Sequence, residues 1–127
     1  MTAKRLETGR QGEERAAQYL AKAGYRILAR NYRCPVGELD IIAQHDDTIV
    51  FVEVRTRRVP CMVRPEDTVN RTKARHVMRA AQYYLSTTSD DDRPWRVDVV
   101  AVEFDPAGKP LRLEHHQDAP ADVMRHS

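Results

Sequence analysis

Three carboxylates stand where the surrounding pattern asks for an apolar side chain. Glu13 lies four residues before Ala17 and seven before Leu20, which puts it on the apolar stripe of a helix. Asp40 sits inside an alternating stretch directly ahead of Ile41-Ile42, and Glu53 interrupts the run Val50-Phe51-Val52-Glu53-Val54. An inward carboxylate without a partner is costly and takes up a proton rather than staying ionised. Three of them on inward positions point to a shared cation. Oxygen ligands with no Cys/His set favour Mg²⁺ or Mn²⁺ over zinc. Arg55 shares a strand face with Glu53 and Phe51, because residues two apart point the same way.

Each acid also has a purely structural reading. Glu13 could answer the dipole at a helix N-terminus. Asp40 could accept backbone hydrogen bonds at a turn, and Glu53 could pair with Arg55 or with an arginine of a neighbouring strand. Asp98, within Arg96-Val97-Asp98-Val99-Val100, is read as a structural acid paired with a helix arginine. The pair His115-His116 carries no expected role.

The charges are segregated along the chain. Residues 34–54 hold five acids and neither Lys nor Arg, whereas residues 1–33 and 55–79 each hold eight bases, against three and two acids. An acidic segment between basic ones suits a phosphate-cleaving site, with carboxylates on a metal and arginines on the polyanion. A chain of 127 residues, 41% hydrophobic and 31% charged, fits one soluble domain. No window approaches the roughly 18 consecutive apolar residues of a membrane span. Met1 to Arg10 lacks the apolar stretch of a secretory signal. Cys34 and Cys61 are too few for a disulfide framework, which fits a cytoplasmic setting with both thiols as packing residues.

The elements that must position these residues follow from periodicity. Thr8 three residues before Gln11 suggests a capping box opening a helix that runs to Lys22, with Gly24 as its stop. Strands are expected over 25–32, 38–44, 49–55, 95–104 and 111–114, and a helix over 69–85 with apolar residues at 74, 77, 78, 81, 84 and 85. Residues 57–67, with Pro60 and Pro65, read as a loop. A strand meander followed by a crossover helix predicts an α/β mixed sheet with a helix on each face. One domain over residues 1–114 and a tail over 115–127 complete the division.

These motifs carry a resemblance. Gly9-x-x-Gly12-Glu13, Arg30-Asn31, Gly37-Glu38-Leu39-Asp40-Ile41-Ile42-Ala43, Val50-Phe51-Val52-Glu53-Val54-Arg55-x-Arg57, Lys73 and Asp98-Val99-Val100 together resemble the YraN family over residues 7–104. That bacterial family is similar to restriction-endonuclease-like and Holliday-junction-resolvase-like nucleases, whose signature is an acid ending one strand and Glu-x-Lys on the next. The resemblance implies a restriction-endonuclease-like α-β-β-β-α-β core. It makes Asp40 and Glu53 metal ligands, with Glu13 completing the pocket around Mg²⁺ or Mn²⁺. Arg55 stands where the wider superfamily has lysine. Arginine does not give up its proton, so it cannot act as a general base, and activation of the attacking water would fall to the metal.

The reading is a Mg²⁺-dependent endonuclease hydrolysing DNA phosphodiester bonds. Arg55 is expected to act in catalysis by neutralising charge on the phosphate, and Arg57, Arg58, Arg71 and Lys73 are expected to contact nucleic-acid phosphates with it. A junction-cutting role would call for a homodimer, since two matched incisions need two sites. The rival is a nucleic-acid-binding module or adaptor that keeps the fold without cleavage; a protein-interaction domain is a third option.

Overall fold

The structure is a computed structural model, and it describes residues 3–59, 71–88 and 92–118. The elements run α1 (Ala3–Lys22), β1 (Arg26–Cys34), β2 (Gly37–His45), β3 (Thr48–Arg58), α2 (Arg71–Thr87), β4 (Trp95–Phe104) and β5 (Pro110–His116). All five strands form one sheet in sequence order. Tight turns make β1–β2, β2–β3 and β4–β5 antiparallel. The connection that contains α2 returns the chain in the same direction, so β3 and β4 are parallel.

Each face of the sheet carries one helix and one core. Ala16, Ala17 and Leu20 of α1 pack on Ile41, Ala43, Val50, Val52, Val100 and Val102. Val77, Ala80, Ala81 and Leu85 of α2 pack on Leu39, Ile42, Ile49, Phe51 and Val97. β3 alternates between these two sets, so its nearly continuous apolar run is buried on both faces. The α/β mixed sheet with a helix on each face is therefore the fold.

Boundaries differ in instructive ways. α1 opens at Ala3, so Thr8 lies inside the helix and does not cap it. Ala3 to Glu7 are mostly strong helix formers and carry the helix past Thr8 and Gly9. Its other end is as expected: Gly24 has a φ of 93°, the Tyr25 amide donates to the Leu20 carbonyl at 2.9 Å, and the Gly24 amide donates to that of Ala21 at 3.2 Å. This is a Schellman closure. β3 runs to Arg58, three residues beyond Arg55, because parallel pairing with β4 continues to Arg58↔Phe104. The Val59 amide still donates to the Phe104 carbonyl at 2.9 Å, and the rest of the loop read around Pro60 and Pro65 lies outside the described residues. β5 reaches His116, so the sheet extends into the segment read as a tail.

One irregularity bears on the site. Asn31, inside β1, has a φ of 52°, and the flanking pairs Arg30↔Ile41 and Tyr32↔Leu39 set it opposite Asp40. Ile41 belongs to the core under α1, and Arg30 reaches Glu14 of α1 at 3.0 Å. Tyr32 and Leu39, two residues along each strand, belong instead to the core under α2. The alternation thus reverses on both strands at the Asn31–Asp40 step, and the end of the β1–β2 hairpin curls over α2. Asparagine tolerates this left-handed conformation and β-branched residues do not. Asn31→Gly should fold with unchanged or higher stability, and Asn31→Val should lose about 1–2 kcal/mol in urea denaturation. Equal midpoints for the valine variant and wild type would remove the strain argument.

Candidate functional site

The reversal at Asn31–Asp40 takes Asp40 out of the sheet ladder. The β2–β3 pairing closes at Ile41↔Val52, and one further step in that register brings Asp40 opposite Glu53. In place of a main-chain bond there, the Val54 amide donates to Asp40 Oδ2 at 2.7 Å. The backbone-accepting role is therefore present, and it fixes the carboxylate at the open end of the ladder. Glu53, on the α2 face of β3 with Phe51, is only 5% exposed. Both acids line one open cavity of about 540 Å³ together with Arg33, Cys34, Gly37, Glu38, Val54, His76 and Val77.

Glu13 is not among the residues lining that cavity. Gly12, not Glu13, is the residue of this turn of α1 pressed onto β3, where an added Cβ would meet Thr56. Glu13 stays within electrostatic reach of the cavity wall: burial pushes its carboxyl above the ordinary range, Arg30 opposes the rise, and Glu38 adds to it. Among the described residues, no group of three or more His, Cys, Asp and Glu side chains is placed to hold a metal ion. Asp40 and Glu53 are the two acids brought together, with Glu38 beside them. Such a set suits Mg²⁺, which keeps several waters and is often held by one or two carboxylates plus substrate phosphates.

The basic residues divide. Arg55 is buried, two residues from Glu53 on the same strand. Arg57 forms an ion pair with Glu103, its register partner on β4. The Arg58 guanidinium donates to the Pro106 carbonyl at 3.3 Å. These two arginines, expected to contact phosphates, thus meet β4 and the turn that follows it. Arg71 and Lys73 fall in the first turn of α2, but their side chains lie outside the described residues.

Arg33, Glu38 and His76 carry no site signal strong enough to single them out by sequence. Arg33 and Glu38 face each other across the β1–β2 hairpin, and their opposite charges around a Cys-Pro-Val-Gly turn are the one available sign. His76 precedes Val77, a member of the apolar stripe, so only the seating of α2 on the hairpin reveals it. Gly37 permits that seating, since a Cβ there would lie 3.0 Å from the His76 carbonyl oxygen.

On the α1 face lies a second polar cluster. Asp98 is fully buried; Arg96 Nε donates to its Oδ1 at 3.0 Å, the Asp118 amide donates to Oδ1 at 2.9 Å, and His115 Nε2 lies 2.7 Å from Oδ2. His115 Nδ1 in turn meets the Tyr19 hydroxyl at 2.9 Å, and Arg96 also donates to the Tyr25 hydroxyl at 2.8 Å. The structural role expected of Asp98 holds, but its arginine comes from its own strand and not from a helix. His115, expected to have no role, is its third partner.

The fold is an α/β mixed sheet with a helix on each face, consistent with a restriction-endonuclease-like core. The model of the uncharacterised protein family UPF0102 matches residues 12–102. The chain is 47% identical over 114 residues to a UPF0102 protein of Syntrophus aciditrophicus, covering 90% of this chain and 88% of that one. It is 45% identical over 119 residues to one of Syntrophotalea carbinolica, covering 94% and 95%, and 48% identical over 105 residues to one of Moorella thermoacetica, covering 83% and 88%. The chain belongs to the UPF0102 family, the YraN family of the sequence resemblance. No helix among the described residues is long and apolar enough to cross a membrane.

Proposed function

We propose that this cavity is a divalent-metal site for hydrolysis of nucleic-acid phosphodiester bonds, with DNA as the substrate. The observation that carries the reading is the meeting of Asp40 and Glu53 in one cavity at the point where the β2–β3 ladder opens. Asp40 and Glu53 would hold Mg²⁺ or Mn²⁺, and Glu13, its carboxyl raised chiefly by burial and also by the charge of Glu38, would be the third acid. When bound, the ion supplies Lewis acidity towards the phosphate and its attacking water. The Val54 amide fixes one Asp40 oxygen, which orients the carboxylate before any ligand arrives. Arg55 keeps its proton, so its contribution is positive charge towards the crowded phosphate and not proton abstraction. Cutting a branched substrate symmetrically would require a homodimer.

The test is nicking of labelled linear, flapped and four-way DNA over a titration of Mg²⁺ and Mn²⁺. Wild type should cleave only with metal. Asp40→Asn keeps an acceptor for the Val54 amide and Glu53→Gln keeps the side-chain shape, so both should stay folded. Each should lose at least about 100-fold in rate, since even partners of metal ligands cost 10–100-fold. Unchanged cleavage in both folded variants would end the hydrolase reading.

A second reading, binding without cleavage, draws on Arg55 in place of a lysine and on the lack of a three-ligand group among the described residues. It predicts salt-sensitive association with nucleic acid that survives both substitutions.

A further inference from the structure

We propose that Arg33 and His76 form the phosphate-receiving rim of the cavity, in place of Arg57 and Arg58. The inference rests on the reading of the cavity as a phosphodiester site and names the groups that hold its substrate. Two walls meet there. The end of the β1–β2 hairpin brings Arg33, α2 brings His76, and Gly37 lets the walls touch because a Cβ would sit 3.0 Å from the His76 carbonyl. Both residues line the same cavity as Asp40 and Glu53.

Donor chemistry narrows the choice. The Cys34 thiol is turned to the Gly37 carbonyl at 3.3 Å, and Glu38, Asp40 and Glu53 offer only acceptors when ionised. Among the described lining residues, a guanidinium at 33 and an imidazole at 76 are the side chains suited to donate to phosphate oxygens. Arg33 has a side chain 83% exposed, and its contact with Glu38 is 3.6 Å between two exposed groups. Such a loose surface pair exchanges readily for a bidentate contact with phosphate. Arg57, in contrast, is ion-paired with Glu103, and Arg58 donates to the Pro106 carbonyl.

The lining also sets a condition. Three carboxylates line the cavity against one guanidinium, and with the buried Arg55 counted as well the set is still net negative, so a phosphate enters favourably once a divalent cation is bound. The contribution of Arg33 and His76 should therefore be measured with Ca²⁺ present, which supplies charge while suppressing turnover.

The experiment is fluorescence anisotropy with labelled linear, flapped and four-way DNA in Ca²⁺ across a salt series. Arg33→Ala should weaken binding roughly fivefold on every substrate and lower the salt slope by about 1. Arg33→Lys should recover part of that loss. His76→Ala should weaken binding about two- to fivefold as a donor is removed. Arg112→Ala, on the far edge strand, should bind as wild type does. Wild-type affinity in Arg33→Ala and His76→Ala would overturn the rim and leave the phosphodiester reading standing, as would a loss confined to Arg57→Ala. Failure of the wild type to bind any of the DNAs would overturn both.

Discussion

Replacing Asp98 with alanine should cost about 3–5 kcal/mol of folding stability at neutral pH, because it removes a fully buried carboxylate and leaves the half-buried Arg96 without its ion-pair partner. That is a large share of the roughly 5–15 kcal/mol that holds a domain of this size together. Asp98 is fully buried, and donors from Arg96, His115 and the Asp118 amide converge on its two oxygens. Removing the carboxylate leaves all three part-buried donors without their acceptor. The cluster also ties α1, through Tyr19, to β4 and β5, so its loss loosens one whole face of the sheet. A melt at pH 7 should show the midpoint lowered by roughly 10–20 °C.

The same carboxylate fixes the sign of the acid response. Burial alone would raise the Asp98 pKa, but the hydrogen bonds from His115, the Asp118 amide and Arg96, with the charge of Arg96, outweigh it and hold the pKa below its ordinary 3.8. A depressed carboxylate contributes stability that is fully present above the unfolded value and is lost as pH falls through the lower folded value. The gap in midpoint between wild type and Asp98→Asn should therefore be wide at pH 7 and steady down to the ordinary value of 3.8, then close below it. A gap that widens on acidification, or an alanine variant as stable as wild type, would refute this account of the cluster.

Gly12→Ala should destabilise the fold by about 1–3 kcal/mol, against the usual direction for glycine in a helix. A Cβ at this position would come within 3.0 Å of the Oγ1, Cγ2 and Cβ atoms of Thr56 on β3. Side-chain rotation can move Oγ1 and Cγ2 aside, but the Thr56 Cβ is fixed to the strand, so α1 has to lift. Gly9, one turn earlier, has nothing within 4 Å of a built Cβ. Gly9→Ala should accordingly stabilise by about 0.5–1 kcal/mol. A double-mutant cycle reads the contact directly: in the Gly12→Ala background Thr56→Ala should restore the part of the lost stability due to Oγ1 and Cγ2, and leave the part due to the Cβ that alanine keeps. Because Gly12 seats the turn that carries Glu13, the single variant should also reduce any metal-dependent cleavage. Equal stabilisation by the two glycine substitutions would show that α1 does not sit on Thr56.

Much of the fold is legible in the order of residues. The β-branched run Ile49–Val54 and the apolar spacing from 77 to 85 are local properties, so the strand, the helix and the helix face that is buried follow directly from them. The short hairpin links and the long connection that contains α2 then dictate antiparallel and parallel pairing. Helix ends are less faithful: the Thr8 signal is local, and the helix formers ahead of it override it.

The site divides along the same line. That Asp40 and Glu53 are acids in apolar strands is written in the sequence, and the cost of burying a carboxylate is enough to mark them there. That they face one cavity depends on a backbone reversal at Asn31 and Asp40, on two strands at once, which no single-strand pattern encodes. Arg57 and Arg33 are indistinguishable as arginines in basic stretches; the register of β3 against β4 gives one of them Glu103, and the hairpin's curl over α2 leaves the other at the cavity mouth. His115 reads as an idle residue because its partners are Asp98, 17 residues before it, and Tyr19, 96 residues before it. Composition and periodicity act between near neighbours and so determine the elements and their buried faces. Which charges meet is set by register and helix seating, and these exist only once the sheet has closed around both cores.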